Sequence, residues 1–305
     1  MATLTHEKPT APTPKFHERM NGTLYQKRKF KNALGIGFTM SAMVFGLFWL
    51  VWILITLFSR GATGFMELPI FTANTPPPAT VGGLKNAIVG SAMLVFSGLF
   101  IGTPVGLMAG IYLAEFADND GKFGRTLGGV TRFLNDILLS APSIVISLFV
   151  YALMVSGGRG FSGWAGATAL ALIVIPVVVR TTENMLALVP NALRESAYAL
   201  GTPKYKLVGH VTLKSAKAGV ITGVLLAFAR ITGETAPLLF TALNNLYFSM
   251  DMSQTIANLP NTIYQFSMNP DITWNKLAWS AALLITLAVL SLNVLARFIG
   301  GKKYK

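Results

Sequence analysis

The chain contains no cysteine, so it forms no disulfide, offers no thiolate nucleophile and gives a metal no thiolate ligand. Charge is scarce as well. Only 12% of residues are Asp, Glu, Lys or Arg, about half the roughly 25% of a soluble domain. The three histidines, His6, His17 and His210, are scattered, and none has a second ligand at metal-binding spacing, so no metal site is expected. No Gly-x-x-x-x-Gly-Lys-Ser/Thr segment occurs, which removes the usual backbone cradle for ATP phosphates. The chain therefore has no evident means of its own to bind ATP phosphates.

What is abundant is apolar: 52% of the 305 residues are hydrophobic. Six runs are long enough to cross a hydrocarbon core of ~30 Å, which needs about 20 helical residues. They lie near 33–58, 86–113, 134–154, 163–188, 217–240 and 275–299. The expected fold is an all-α integral membrane protein of six transmembrane helices. A polar, basic tail over 1–32 precedes it, residues 1–20 of which read as disordered, and a short basic tail over 300–305 follows.

The net charge of +13 need not mean nucleic acid. With the N-terminus inside, the tails, the loop around 117–132 and the segment around 180–217 are cytosolic and, with Arg297 at the inner end of the sixth run, hold 20 of the 25 Lys and Arg. That is the positive-inside bias. It also accounts for the cluster Lys27, Arg28, Lys29 and Lys31 ahead of the first span. Lipid and protein are the expected partners, with no role for nucleic acid. The first run is too long for a cleavable signal core, so it reads as an anchor.

Charges inside spans are costly and face a protein interior or a water-filled path. Arg230 and Glu234 stand four apart in the fifth run, and Arg180 and Glu183 three apart in the fourth. Both spacings place partners on one helical face. A guanidinium is always charged and presents a planar fork of donors to carboxylate or phosphate-type oxygens, so such arginines imply an anionic solute. Each glutamate limits the cost of the arginine when no anion is present and keeps the anion from being held too tightly to leave. Asp136, four residues after Arg132, reads as its interfacial ion-pair partner. Gly98, Gly102, Gly106 and Gly110 form a ladder on one face of the second run that lets another helix approach closely. Pro104 interrupts it and marks a possible hinge at Gly102-Thr103-Pro104.

Between the fourth and fifth runs, about 190–217, Leu193, Ala197 and Leu200 share a helical face before Gly201-Thr202-Pro203 punctuates the chain. An amphipathic turn from Lys204 to Lys214 returns to the membrane. Glu195, Ala197, Gly201, Val211 and Leu213 follow the pattern Glu-Ala-Ala, three residues, Gly, nine residues, Ile-x-Leu-Pro, and the segment resembles the coupling loop of binding-protein-dependent ABC importer permeases. Ser196 replaces the first-following alanine and Lys214 the final proline. Serine keeps close packing available, whereas lysine removes a fixed backbone turn.

The strings Phe133 to Val145 (FLNDILLSAPSIV), Arg180 to Met185 (RTTENM), Ala199 to Lys204 (ALGTPK) and Gly233 to Phe240 (GETAPLLF) resemble the A-type permease subunits of bacterial phosphate ABC transporters, over roughly residues 32–299. The resemblance implies a type I importer core in the bacterial cytoplasmic membrane, with both termini cytosolic and phosphate as cargo. It implies a second, homologous permease, two ATPase subunits that carry ATP and Mg, and an extracytoplasmic phosphate-binding protein. Under it, Arg230, Glu234, Arg180 and Glu183 line or gate the substrate path, and Glu195, Ala197 and Gly201 serve ATPase coupling. The loops about 60–83 and 242–274 either meet the binding protein or lie on lipid headgroups. Other readings stay open: another tetrahedral anion such as sulfate, an ion-coupled secondary transporter with Glu183 and Glu234 carrying protons, or a sensory scaffold.

Overall fold

Apolar runs long enough for several helical turns, punctuated by proline and glycine, become helices. The computed structural model describes residues 22–117 and 121–301, and no strand occurs among them. Most of the N-terminal tail with His6 and His17, the tip of the loop after the second run, and the last four residues lie outside the described residues. The helices are α1 (Gly22–Glu67), α2 (Lys85–Glu115), α3 (Gly121–Ser140), α4 (Ser143–Val150), α5 (Gly163–Ala187), α6 (Asn191–Ala199), α7 (Lys204–Lys206), α8 (Leu213–Thr232), α9 (Ala236–Leu239), α10 (Leu259–Ser267) and α11 (Ile272–Gly301). Short π-helical turns continue α4 over Tyr151–Val155 and join α7 to α8 over Leu207–Thr212. Five helices are long and apolar enough to cross a membrane, and the bent α3–α4 pair makes a sixth if it is one span.

The chain forms two compact units that divide within α1, between Thr56 and Leu57. The first consists, among the described residues, of helix alone. Its aromatic side chains contact one another, Phe48 meeting Trp49 edge to face at 5.5 Å and Trp52 in a tilted arrangement at 6.1 Å. The second unit holds the packed helices.

Its centre is the α2–α5 pair, and the glycine ladder is the reason the two approach so closely. A Cβ on Gly98 would come 2.8 Å from Cβ of Leu170, and on Gly106 or Gly110 2.7 Å from Cβ of Val178 or Thr182. Leu94, Leu170, Val174 and Val178 fill the surrounding core with Ala227, Ile231 and Leu238. Pro104 lies within α2 without ending it, so the Gly102-Thr103-Pro104 step is part of one continuous helix.

Two spans differ from the sequence reading. The third is not a straight helix over 134–154, because α3 and the α4 segment meet at 106° across Ala141-Pro142. Proline has no N–H to donate and drives the residue before it out of helical geometry. The fifth does not run to 240. It starts upstream and ends at Thr232, and Gly233-Glu234-Thr235 separates α8 from α9. Lys214, where the family pattern has proline, retains a backbone N–H, and α7, the π-turn and α8 form one unbroken stretch from Lys204 to Thr232.

At the end of the spans away from α6, residues 68–84 and 240–271 fold together over Ile70, Leu84, Leu259, Phe266 and Leu277. The first of these loops begins later than the sequence indicated, since α1 continues through Arg60 to Glu67. Asn86 stitches the two loops, donating from Nδ2 to Oγ1 of Thr75 (2.7 Å) and to the carbonyl of Asn245 (2.9 Å). Asp271 ties residues 77–80 to the start of α11, accepting from the backbone N–H of Ala79 at 2.7 Å, Thr273 at 2.7 Å and Trp274 at 3.0 Å.

Those amide donors, Trp274 first and then Ala79, hold the Asp271 carboxyl below its ordinary value. A depressed carboxylate pKa adds stability that is fully present above the unfolded value of about 3.9 and is lost as pH falls through the folded one. Protection of the Ala79 amide is therefore expected to stay level from neutrality to about pH 4 and to fall below it. Asp271→Ala loses the protection at every pH. Hydrogen exchange of a peptide that begins upstream of Ala79, such as 74–84, measures both, and a profile that slopes between pH 5 and 7 would assign the anchor to another group.

Candidate functional site

Arg230 occupies the last turn of α8, and Glu234 follows the Gly233 that ends the helix. The pair forms although the helix does not continue between them: Nε of Arg230 lies 3.7 Å from Oε1 of Glu234, with Arg230 half-exposed and Glu234 largely buried. At that separation the contact is an ion pair without a hydrogen bond, so the guanidinium fork keeps its directional donors for another oxyanion.

Arg180 and Glu183 stand in the last two turns of α5, again half-exposed and largely buried, at 3.9 Å. The close partner of Glu183 is a different arginine. Nε of Arg132, on α3, donates to its Oε1 at 2.7 Å, and Nη2 of Arg132 donates to the Leu113 carbonyl at 3.2 Å. The expected Arg132–Asp136 bridge is thus replaced by a contact between helices, and Asp136 points outward. Sequence spacing missed this because the partners are 51 positions apart.

The packing of α5 on α8 sets the two arginines in register. Gly223 meets Thr181 and Gly219 meets Met185, so Arg180 stands level with the residues after Gly223, and Arg230 about two turns further on, roughly 10 Å along the helix axis. A cleft of about 620 Å³ runs between these helices, lined by Thr181, Met185, Gly219, Thr222, Gly223 and Leu226 among others; no charged side chain lines it, and Arg180, Glu183, Arg230 and Glu234 stand outside its lining. A second cavity of about 600 Å³, around Phe96, Phe100, Pro104 and Trp164, is likewise without a charged residue and is the more apolar of the two.

The α6 segment lies at the end of α2 and α5. Pro190 precedes its first turn, where a missing N–H costs nothing. Gly201 ends it at φ +74°, with the N–H of Gly201 donating to Tyr198 (2.9 Å) and that of Thr202 to Ala197 (3.2 Å). This pair of bonds is the Schellman closure, which needs a residue in the left-handed region. Ala197 is buried with Leu207 and Val208 against Ile111 and Phe116 of the α2 end, and Lys204 lies over the Phe116 ring at 4.3 Å. The face read from periodicity separates: Ala197 turns inward, whereas Leu200 is 86% exposed and Leu193, Tyr198 and Tyr205 are also exposed. Glu195 is exposed as well. Next to it, Arg194 pairs with the buried Glu115 at 2.9 Å. No local spacing signals that pair, since 79 positions separate its members.

A helical core with one bent span, half-exposed arginines on two spans and a capped helix at the end of α2 and α5 fit a membrane permease. Residues 102–301 match the family described as binding-protein-dependent transport system inner membrane component. The phosphate transport system permease protein PstA of Yersinia pestis is 56% identical over 90% of this chain and 92% of its own length. The protein of the same name from Pasteurella multocida is 54% identical over 94% of this chain and its whole length. The fold is similar to a chain of the bacterial alginate ABC transporter solved with its alginate-bound periplasmic protein, with TM-score 0.64, 14% identity and coverage of 92% and 98%. The chain belongs to the PstA family of ABC importer permeases, and it is a multi-pass inner-membrane protein.

Proposed function

We infer that this chain is a permease subunit of an ATP-driven importer that moves inorganic phosphate across the inner membrane. The observation that carries this is identity above 50% to phosphate permeases along nine-tenths of the chain. The charges on α5 and α8 agree with the chemistry it demands. An incoming phosphate engages the Arg230 fork, with Glu234 as the resting counter-charge that returns when the anion leaves. Because Arg132 holds Glu183 closely, Arg180 is only lightly engaged by it and offers a second station, nearer α6.

In this reading the partners are a second, homologous permease, two ATPase subunits, an extracytoplasmic phosphate-binding protein and lipid. Hydrolysis belongs to the ATPase subunits with their ATP and Mg, which the missing P-loop motif supports. They dock on α6, whose exposed Leu200, Tyr198 and Glu195 and buried Ala197 suit a contact surface held firmly from behind. Both termini are cytosolic, as the basic residues of the tails favour. Tails over 1–32 and 300–305 flank a permease domain over 33–299. The joined loops 68–84 and 240–271 face the binding protein, with Tyr247 and Met250 exposed.

The test is radiolabelled phosphate uptake, with sulfate as control, into vesicles holding the permease pair, ATPase and binding protein, with and without internal ATP. Phosphate-selective uptake that needs both ATP and this chain is expected. Uptake of sulfate alone would reassign the cargo, and uptake driven by an ion gradient without ATP would reassign the energy source.

A further inference from the structure

We propose that Arg194 is the joint through which the coupling helix α6 moves α2 and α5 as one body, so that it sets the phosphate moved per ATP hydrolysed. The proposal rests on the reading of α6 as the ATPase contact and goes beyond it to how motion leaves that contact.

The guanidinium of Arg194 is used in full. Its Nη2 donates to the Leu186 carbonyl at 2.8 Å and to Oε1 of Glu115 at 2.9 Å. Its Nη1 donates to the Val189 carbonyl at 2.6 Å and to Oδ1 of Asn191 at 3.2 Å. Its Nε lies 3.3 Å and 3.4 Å from the two Glu115 oxygens. Every N–H of the fork thus has an acceptor. The Leu186 carbonyl also accepts from the Val189 N–H in the turn that closes α5 (3.1 Å), the Val189 carbonyl lies just beyond that helix, and Glu115 is the last residue of α2. One side chain on α6 therefore closes the end of α5 and neutralises the end of α2.

Burial makes the connection stiff. Glu115 is 6% and Arg194 17% exposed, so water cannot readily replace either partner, and an opened contact would strand a charge away from solvent. Covalently, α6 is tied to α5 only by residues 188–190 and to α2 not at all. The glycine ladder already locks α2 to α5 along their length. A displacement of α6 delivered through Arg194 consequently reaches both helices together, and with α5 it reaches Arg180 and Glu183.

Lysine carries the charge without the fork, so it cannot hold the carboxylate and both carbonyls at once. The reversed pair, Arg194→Glu with Glu115→Arg, restores attraction but removes the side-chain donor from both carbonyls, so that α6 no longer holds the end of α5. In the reconstituted four-component complex, Arg194→Lys is expected to keep ATPase attachment and basal hydrolysis while phosphate moved per ATP falls about tenfold. The reversed pair is expected to be no better. Native stoichiometry in either variant would make the contact a simple ion pair and overturn the proposal.

A measurement on the otherwise native chain covers the case in which the variants do not fold. Because the chain has no cysteine, spin labels at Met108→Cys on α2 and Ala192→Cys on α6 report one distance. It should stay unchanged between nucleotide-free and ATP-bound states, and a shift between them would show that α6 moves independently of α2. Failure of the underlying reading is seen separately: if Leu200→Arg on the exposed face leaves ATPase attachment intact, α6 is not the docking site, whatever the Arg194 variants do.

Discussion

Arg230→Gln lowers phosphate uptake by about 10²-fold or more while the transporter still assembles. The magnitude follows from the loss of charge-assisted hydrogen bonds to the anion, each worth about 1.5–3 kcal/mol, with 1.4 kcal/mol to each factor of ten. Glutamine fills similar space at a half-exposed position, so packing and assembly are expected to survive. The loss has a second part. Glu234 is largely buried, and without the guanidinium its negative charge repels the incoming phosphate. Glu234→Gln should accordingly differ in kind: the anion still meets Arg230 but is held longer, so uptake slows through release rather than entry. Uptake assays with co-purification of the ATPase check these outcomes. Normal transport by Arg230→Gln would remove the arginine from the path.

Gly201→Val weakens ATPase attachment, through the backbone rather than through a clash. A Cβ at Gly201 would meet no atom within 4 Å, but the residue sits at φ +74°, where an L side chain costs roughly 1–2 kcal/mol and a β-branched one is an outlier. Valine is expected to open the Schellman closure and release Thr202 from Ala197, which disturbs the α6 surface and its exit toward α7. Attachment should fall about tenfold, corresponding to about 1.4 kcal/mol. Asparagine tolerates the left-handed region better than other non-glycine residues, so Gly201→Asn should recover most of the binding. Pull-down of the ATPase by each variant measures the effect, and full attachment by the valine form would place the docking surface elsewhere.

Where sequence reasoning succeeded, a single segment carried the information. The glycine ladder of α2 is periodic along one helix, and its consequence, close contact with α5, needed only a neighbour. Gly201 announced a helix end because only one backbone geometry makes glycine advantageous there. The break of the third span was harder to see. Pro142 was in view, but the apolar run continues across it, and hydropathy averages over a bend that reaches 106°. The early end of α8 was hidden differently: Gly233 stands among the polar Thr232, Glu234 and Thr235, but apolar residues resume from Ala236 to Phe240 and prolong the run past the break.

The acidic partners mark the limit of spacing arguments. Glu183 was paired with Arg180 because three residues separate them, yet Arg132 from α3 is more than 1 Å nearer. Glu115 has no basic residue at helical spacing along α2, and Arg194 has no acidic one except its neighbour Glu195, which points elsewhere. Both proved to be the buried halves of one contact.

By itself the amino-acid sequence determined the membrane class, the number of apolar runs, the absence of a nucleotide cradle and the motif that closes α6, because hydropathy, charge placement and backbone preference are properties of contiguous residues. Only the tertiary structure decided where the spans break and which charges meet. Arg132 with Glu183, and Arg194 with Glu115, become neighbours only after α2, α3, α5 and α6 have packed, and an ion pair depends on distance in space rather than on separation along the chain.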